Sequence, residues 1–233
     1  MERRTPVRTA VVWETVQQAL AGHLAARVVD VGGGTGGLAV RLAELGHHVT
    51  VIDPSPDALA ALGRRARESE VDDRIRAEQG DLDDLLTLVG PAGCDVVLCH
   101  GVLGIVPDRE AGMATLAQAL APGGLLSLLV SQRHAAVIAR AMAGHFGQAA
   151  AVLNGQDEGA EHRFTMDELS ALVGPHLSDY TFHGVRVFTD LVPGSLLDVE
   201  SGASAALLDL ERTVSTWPEY LTLATQIHVL GTR

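Results

Sequence analysis

The sequence predicts an α/β chain built on a doubly wound, mostly parallel sheet of seven strands. Three observations carry that reading. Short, continuous apolar runs alternate with amphipathic segments from residue 27 to about 143, the pattern of strands covered by helices on both faces. A glycine-dense turn, Gly32-Gly33-Gly34-Thr35-Gly36-Gly37, joins the first strand to the helix behind it. An apolar fraction of 47% in 233 residues is enough for one large core, so a single domain spanning 1–233 is expected.

Taken in order, residues 8–22 read as an amphipathic helix with Val12, Val16, Ala19 and Leu20 on one stripe. Strands follow at 27–32, 48–53, 74–79, 94–100 and 124–131, and helices at 36–45, 56–68, 81–89, 109–120 and 134–143. Residues 27–132 thus form a ligand-binding core. Pro122-Gly123-Gly124 reads as a sharp stop between helix and strand. An insertion covers 144–176, and its Gly-, Ala- and acid-rich part at 147–162 reads as a loop or lid. Thr165 and Glu168 have capping-box spacing for a short helix. In the last part, 178–233, strand candidates at 179–189 and 221–230 flank a helix near 202–216. They complete the sheet as an antiparallel pair at its edge, on the substrate side.

Charge and composition exclude several functions. All 17 basic residues are arginine, against 29 acids, for a net charge of −12. Residues 150–233 hold four arginines against twelve acids, a net −8, and residues 1–149 carry the remaining −4. Nucleic-acid binding rests on a basic face, so this balance disfavours RNA. No stretch reaches the ~18 apolar residues that span a bilayer, and Met1-Glu2-Arg3-Arg4-Thr5-Pro6 has no apolar signal-peptide region. Cys94 and Cys99 flank a buried strand on opposite faces and read as core residues of a reducing cytoplasm. His47-His48 reads as a solvated turn, and the other histidines lack metal-ligand spacing. Arg64, Arg65 and Arg67 read as a solvated helix face.

The chemistry concentrates at strand ends. Gly32, Gly34 and Gly37 fit a G-x-G-x-x-G pattern shared by several nucleotide-binding families, and with Gly33 they let a ligand approach the backbone. Val49-Thr50-Val51-Ile52-Asp53 ends a second buried strand in a carboxylate, where a ribose diol needs an acceptor. Asp53 and the adjoining Pro54 are both expected at the cofactor site; Asp53 also reads as a loop cap before Pro54 and Pro56. Two ligands are open here. A dinucleotide sets its pyrophosphate on the helix N-terminus, where Asp30 would oppose it. S-adenosylmethionine has no phosphate and carries a sulfonium and an ammonium, so Asp30 favours it over a nicotinamide cofactor. His100 ends the fourth strand at the ligand-binding edge, open to the ligand's methionine part, to an acceptor, or to a structural role.

The order acid-x-Gly-x-Gly-x-x-Gly from Asp30 resembles motif I of the class I methyltransferases. A narrower likeness runs from residue 8 to 229. Arg8-Thr9-Ala10-Val11-Val12-Trp13, Leu98-Cys99-His100-Gly101-Val102-Leu103, Pro122-Gly123-Gly124-Leu125-Leu126-Ser127-Leu128 and Met142-Ala143-Gly144-His145-Phe146 carry its first part. Gly184-Val185-Arg186-Val187-Phe188, Tyr220-Leu221-Thr222-Leu223 and Ile227-His228-Val229 carry its second. These blocks are similar to the bacterial methyltransferases that esterify 5-carboxymethoxyuridine at the tRNA wobble position.

The resemblance implies a Rossmann-like fold and S-adenosylmethionine as cofactor. It implies that Asp81 and Leu82, ending the third strand, hold the adenine, although Asp83 and Asp84 also suit an acidic first helical turn. It implies that Arg8 pairs with the cofactor's methionine carboxylate, that Arg186 faces an anionic acceptor and that Tyr220 lines the same pocket. The family's lysine-rich stretch is replaced here by Asn154-Gly155-Gln156-Asp157-Glu158-Gly159-Ala160-Glu161, and its Tyr-Asn pair after the fifth strand by Ser131-Gln132. Cations and aromatic platforms are what a splayed tRNA nucleotide requires, so a small-molecule acceptor is favoured over tRNA. A carboxylate acceptor oriented by Arg186, with Arg133, needs no general base; a hydroxyl acceptor would need His100 or His134. A cofactor-binding regulatory module that turns nothing over is the alternative from another class.

Overall fold

The protein is described from a computed structural model covering residues 4–156, 161–193 and 202–233, with side chains from residue 9. In chain order the elements are α1 (Arg4–Ala19), β1 (Arg27–Val31), α2 (Gly37–Glu44), β2 (His48–Asp53), α3 (Pro56–Glu68), β3 (Ile75–Gln79), α4 (Leu85–Val89), β4 (Cys94–His100), α5 (Arg109–Ala119) and β5 (Leu120–Ser131). They continue with α6 (Arg133–Met142), α7 (Phe146–Leu153), α8 (Met166–Val173), β6 (Asp179–Val185), α9 (Ala203–Val214), α10 (Pro218–Leu221) and β7 (Gln226–Thr232).

The seven strands form one open sheet in the order β3-β2-β1-β4-β5-β7-β6. The pairs β1–β2, β2–β3, β1–β4 and β4–β5 are parallel. Strand β7 runs the other way: Arg233 N–H donates to Gly124 C=O near the start of β5, and Gln132 N–H donates to Thr225 C=O beyond its end. The sheet is therefore mixed, as the predicted antiparallel edge pair requires. Two compact units make up the chain. One comprises Leu20–Leu129, Ala171–Tyr180 and Leu230–Arg233; the other comprises Met1–Ala19, Val130–Ser170 and Thr181–Val229.

The first unit holds the parallel strands. Val28, Val31, Val49, Val51, Ile52, Val97, Leu98 and Leu126 are all but inaccessible to solvent, as strands covered on both faces must be. Cys94 and Cys99 are free buried thiols, each pushed up to about 12 by burial. His47 departs from its solvated reading. It is buried, its Nδ1 accepts the Ala26 N–H at 3.2 Å, and burial lowers its pKa. The helix expected over 81–89 shortens to α4 because Asp81 Oδ1 accepts the Asp83 N–H and Asp84 Oδ2 accepts the Asp81 N–H, a turn that competes with helix.

Strand β5 starts four residues earlier than expected. Pro122-Gly123-Gly124 lies inside it as a bulge, with Leu120 opposite Cys94 and Leu125 opposite Val96. A Cβ on Gly124 would lie 2.9 Å from the Ala121 carbonyl oxygen and 3.0 Å from that of Asp95, so only glycine lets the strand kink there without breaking.

In the second unit the segment read as a loop at 147–162 is partly helical. Phe146–Leu153 forms α7 and buries Ala149 and Val152; residues 157–160 lie outside the described residues. The capping box at α8 is reciprocal: Thr165 N–H donates to Glu168 Oε2 at 2.9 Å and Glu168 N–H to Thr165 Oγ1 at 3.2 Å. The strand expected over 179–189 ends at Val185 because Arg186 turns the chain with φ +62°. The strand expected over 221–230 becomes α10 followed by β7. Arg212 on α9 pairs with Glu14 on α1 at 2.5 Å and with Asp209 at 2.8 Å.

Candidate functional site

Parallel register assembles the first group of predicted residues. Val31 lies beside Ile52 and Cys99, so the next residues, Gly32, Asp53 and His100, emerge together at the carboxyl edge. Asp53 in turn pairs with Gln79, which brings Gly80 and Asp81 to the same edge. This is where strand order reverses between β1 and β4, the place where open α/β sheets bind ligands.

The glycine turn is shaped by its neighbours. Asp30 is 4% exposed, and a Cβ on Gly33 would lie 2.5 Å from its Oδ2 and 2.8 Å from Val51 Cγ1. Gly32, Gly34 and Gly36 take positive φ, whereas Gly37 does not and instead opens α2. The third indispensable glycine is thus Gly36, which the spacing pattern missed. With φ +76°, its Cβ would fall 2.1 Å from Leu62 Cδ1. Val40 N–H donates to Gly36 C=O as the helix begins.

Two carboxylates flank this turn and differ in character. Asp53 accepts Gly34 N–H at 2.8 Å and Ser55 N–H at 2.9 Å, one on each oxygen. A carboxylate offers about four acceptor positions, so among the described residues two remain for a vicinal diol. Pro54 carries the chain from Asp53 to Ser55, the cap of α3. Asp30 is raised from 3.8 to about 7, mainly by burial and then by the Asp53 charge. A buried acid poised to ionise suits a cation and repels an anion. Asp81 is exposed, and Leu82 is buried with its side chain against Gly112. His100 Nε2 lies 2.8 Å from Ser127 Oγ, and enclosure of the ring pushes its pKa down to about 4. The imidazole is neutral and a weak proton acceptor.

The second group lies in the other unit. Arg186 Nε donates to Asp190 Oδ2 at 2.8 Å, its Nη2 joins the same oxygen, and its Nη1 reaches Gln226 Oε1 at 3.2 Å. Among the described residues, three of the five guanidinium donors are engaged, which leaves two for an external acceptor. Phe188, two residues on, meets Tyr220 edge-on at 5.7 Å, and Tyr220 tilts against Trp217 at 5.9 Å. Three of the chain's eight aromatic residues thus gather around the segment carrying Arg186. Behind that segment, Glu211 of α9 accepts hydrogen bonds from three consecutive backbone N–H groups.

Arg133 is tied to both oxygens of Glu168 at 2.8 and 3.0 Å, and His134 lies in the first turn of α6. Arg8 belongs to α1, and its side chain lies outside the described residues. Asp190, Gln226 and Glu211 went unread in the sequence. Glu211 alone left a signal: with Leu207 and Val214 it occupies i, i+4 and i+7 on the buried stripe of α9. Among the described residues there is no His, Cys, Asp and Glu cluster fit for a metal, and no helix long and apolar enough to cross a membrane.

Comparison with known proteins places the chain among methyltransferases. A methyltransferase domain family matches residues 29–126, which run from within β1 into β5 and include the glycine turn, Asp53 and His100. The tRNA 5-carboxymethoxyuridine methyltransferase of Escherichia coli K12 is 30% identical over 233 residues, covering 96% of this chain and 87% of the relative. The ubiquinone biosynthesis O-methyltransferase of Xylella fastidiosa 9a5c is 39% identical over 121 residues, 51% of this chain and 47% of that one. Among solved structures, an S-adenosylmethionine-dependent methyltransferase from Mesorhizobium loti superposes with a TM-score of 0.65 at 20% identity, covering 97% of this chain and all of that one.

Proposed function

Since the chain belongs to the class I S-adenosylmethionine-dependent methyltransferases, in the family that includes the tRNA 5-carboxymethoxyuridine methyltransferases, we propose that it methylates a carboxylate oxygen of a small acidic acceptor. Membership sets aside the dehydrogenase and the non-catalytic module. The cofactor supplies a methyl group on a positively charged sulfur, already a good leaving group. The residues at the glycine turn fit it. Asp53 has acceptor positions for the ribose diol, Asp30 answers the positive charge, and the Gly32–Gly34 backbone admits close approach. We assign the adenine to Asp81 and Leu82 and the methionine carboxylate to Arg8.

The observation that carries the acceptor assignment is Arg186, with its braced guanidinium next to an aromatic cluster. A planar fork donating two parallel hydrogen bonds matches a carboxylate. The chemistry then asks little more of the chain. A carboxylate is ionised at neutral pH and needs no general base, in accord with a His100 held neutral and engaged by Ser127. Alignment is the main task, and it can supply ~7–11 kcal/mol of the barrier. We read both units as parts of one methyltransferase domain, working in the cytoplasm, where Cys94 and Cys99 stay reduced.

A second reading, esterification of wobble carboxymethoxyuridine in tRNA, is favoured by the 30% identity along nearly the whole chain. The net −8 of residues 150–233 counts against it. Both are tested with methyl-labelled cofactor, offered a panel of small carboxylic acids in one arm and tRNA with and without carboxymethoxyuridine in the other. Base-labile label on a small acid supports the proposal, and label on modified tRNA alone overturns it. Arg186→Ala removes a charged hydrogen-bonding partner, an effect of ~1.5–3 kcal/mol or roughly 10- to 150-fold in turnover. Affinity for S-adenosylhomocysteine stays unchanged; equal loss of both would refute the acceptor role.

A further inference from the structure

We infer that Glu211 is a positioning residue for Arg186, holding the acceptor-binding guanidinium in place through the 187–189 backbone. The inference rests on the acceptor role proposed for Arg186. The problem it solves is local. Strand β6 ends at Val185, and Arg186 takes φ +62°, a left-handed conformation that a residue with a Cβ keeps only when its surroundings enforce it.

Two sets of hydrogen bonds enforce it. On the Arg186 carbonyl, Thr225 donates both its N–H at 3.4 Å and its hydroxyl at 3.1 Å. On the following residues the holder is Glu211, 1% exposed. Its Oε2 accepts Val187 N–H at 2.9 Å, and its Oε1 accepts Phe188 N–H at 3.0 Å, Thr189 N–H at 2.8 Å and the Thr189 hydroxyl at 2.6 Å. Four donors use about all the acceptor capacity a carboxylate has.

The geometry explains how a buried acid controls a side chain it does not touch. Three successive N–H groups turned toward one carboxylate make the backbone curl around it. Val187 and Thr189 are buried inside the curl, while Phe188 stays partly exposed toward Tyr220. The curl brings residues 186 and 190 back to each other, and the Arg186–Asp190 pair closes its mouth. Without Glu211 the segment loses its centre, and Arg186 loses the fixed direction in which it presents its donors.

The side-chain Nε–H resonance of Arg186 tests this without any knowledge of the acceptor. In 15N-labelled protein it is assigned by its disappearance in Arg186→Lys. Glu211→Gln keeps an acceptor at one position and turns an NH2 donor toward a backbone N–H at the other. Leu207→Ala, on the same helix face, serves as a control for destabilisation. The expected result is loss or displacement of the Arg186 resonance in Glu211→Gln, its retention in Leu207→Ala, and an unchanged Kd for S-adenosylhomocysteine in both. An unmoved resonance in Glu211→Gln overturns the inference, as does equal displacement in the control. If Glu211→Gln does not fold, Thr189→Val removes one of the four donors; a shifted resonance then supports the inference and an unshifted one overturns it. Should Arg186→Ala leave turnover intact while the resonance still responds to Glu211, the acceptor assignment fails and the positioning role stands.

Discussion

Replacing Asp30 by Asn isolates the effect of a buried charge at the glycine turn. The substitution keeps the shape of a side chain that is 4% exposed and removes its ability to ionise. The carboxyl is raised from 3.8 to about 7, and each tenfold in proton affinity is worth about 1.4 kcal/mol. Keeping the group ionised in the folded chain therefore costs on the order of 4 kcal/mol, an upper figure for a site that relaxes. The sign follows from where the protons reside. Between 3.8 and about 7 the native state binds a proton that the unfolded state has released, so stability falls as pH rises through that window.

Urea unfolding of the wild type should therefore weaken from about pH 5 to about pH 7.5, and the Asn variant should show a flatter profile and equal or greater stability at the upper end. Binding should move the other way. A cation beside Asp30 favours its ionised form, so S-adenosylmethionine should bind the wild type more tightly as pH rises from about 6 to about 8. In Asp30→Asn calorimetric affinity should be weaker and independent of pH over the same range. A variant with wild-type affinity and wild-type pH dependence would refute the assignment of Asp30 as the group that answers the cofactor's charge.

Two further substitutions test the same edge of the sheet. Gly36→Ala combines a positive φ, roughly 1–2 kcal/mol, with overpacking against Leu62 of about 1–3 kcal/mol. At roughly 2–4 °C per kcal/mol for a chain of this size, thermal unfolding should drop by about 5–15 °C, and an unchanged Tm would contradict the crowding described for that position. Asp53→Asn leaves one oxygen to serve Gly34 or Ser55 and turns a donor toward the other; affinity for S-adenosylhomocysteine should fall about 10- to 100-fold by calorimetry, and a change under about twofold would return Asp53 to the role of a loop cap.

What the sequence disclosed and what it hid divide along physical lines. Apolar runs fix β1, β2 and β4 to within a residue, because strands covered on both faces carry few polar positions. The acids at 30 and 53 were legible for the same reason: each interrupts or ends a run that would otherwise be hydrophobic. Segments whose structure depends on partners distant in sequence were misread. Phe146-Gly147-Gln148-Ala149-Ala150-Ala151-Val152-Leu153 lacks a strong apolar stripe, yet burial of Ala149 and Val152 makes it a helix. Pro122-Gly123-Gly124 carries turn residues that β5 uses as a bulge. Gly36 was hidden behind Gly37 because glycine spacing does not reveal which positions take positive φ. The role of Glu211 depends on backbone groups about 22 to 24 residues upstream, and only its place on an apolar stripe betrays it.

Helix α9 has two consecutive residues with separate duties. Glu211 is turned inward to the 187–189 backbone, and Arg212 is turned outward to Glu14 on α1. Neither duty depends on the helix being strong, but both depend on its angular phase. Each residue advances an α-helix by about 100°, so one inserted or deleted residue between Ala203 and Leu210 would swing both side chains off their partners at once. Exposed positions such as Ala205 and Ala206 are then free to drift by substitution, while the length of the helix upstream of Glu211 is fixed. Lineages descended from this chain should therefore vary the letters of this helix without varying their number.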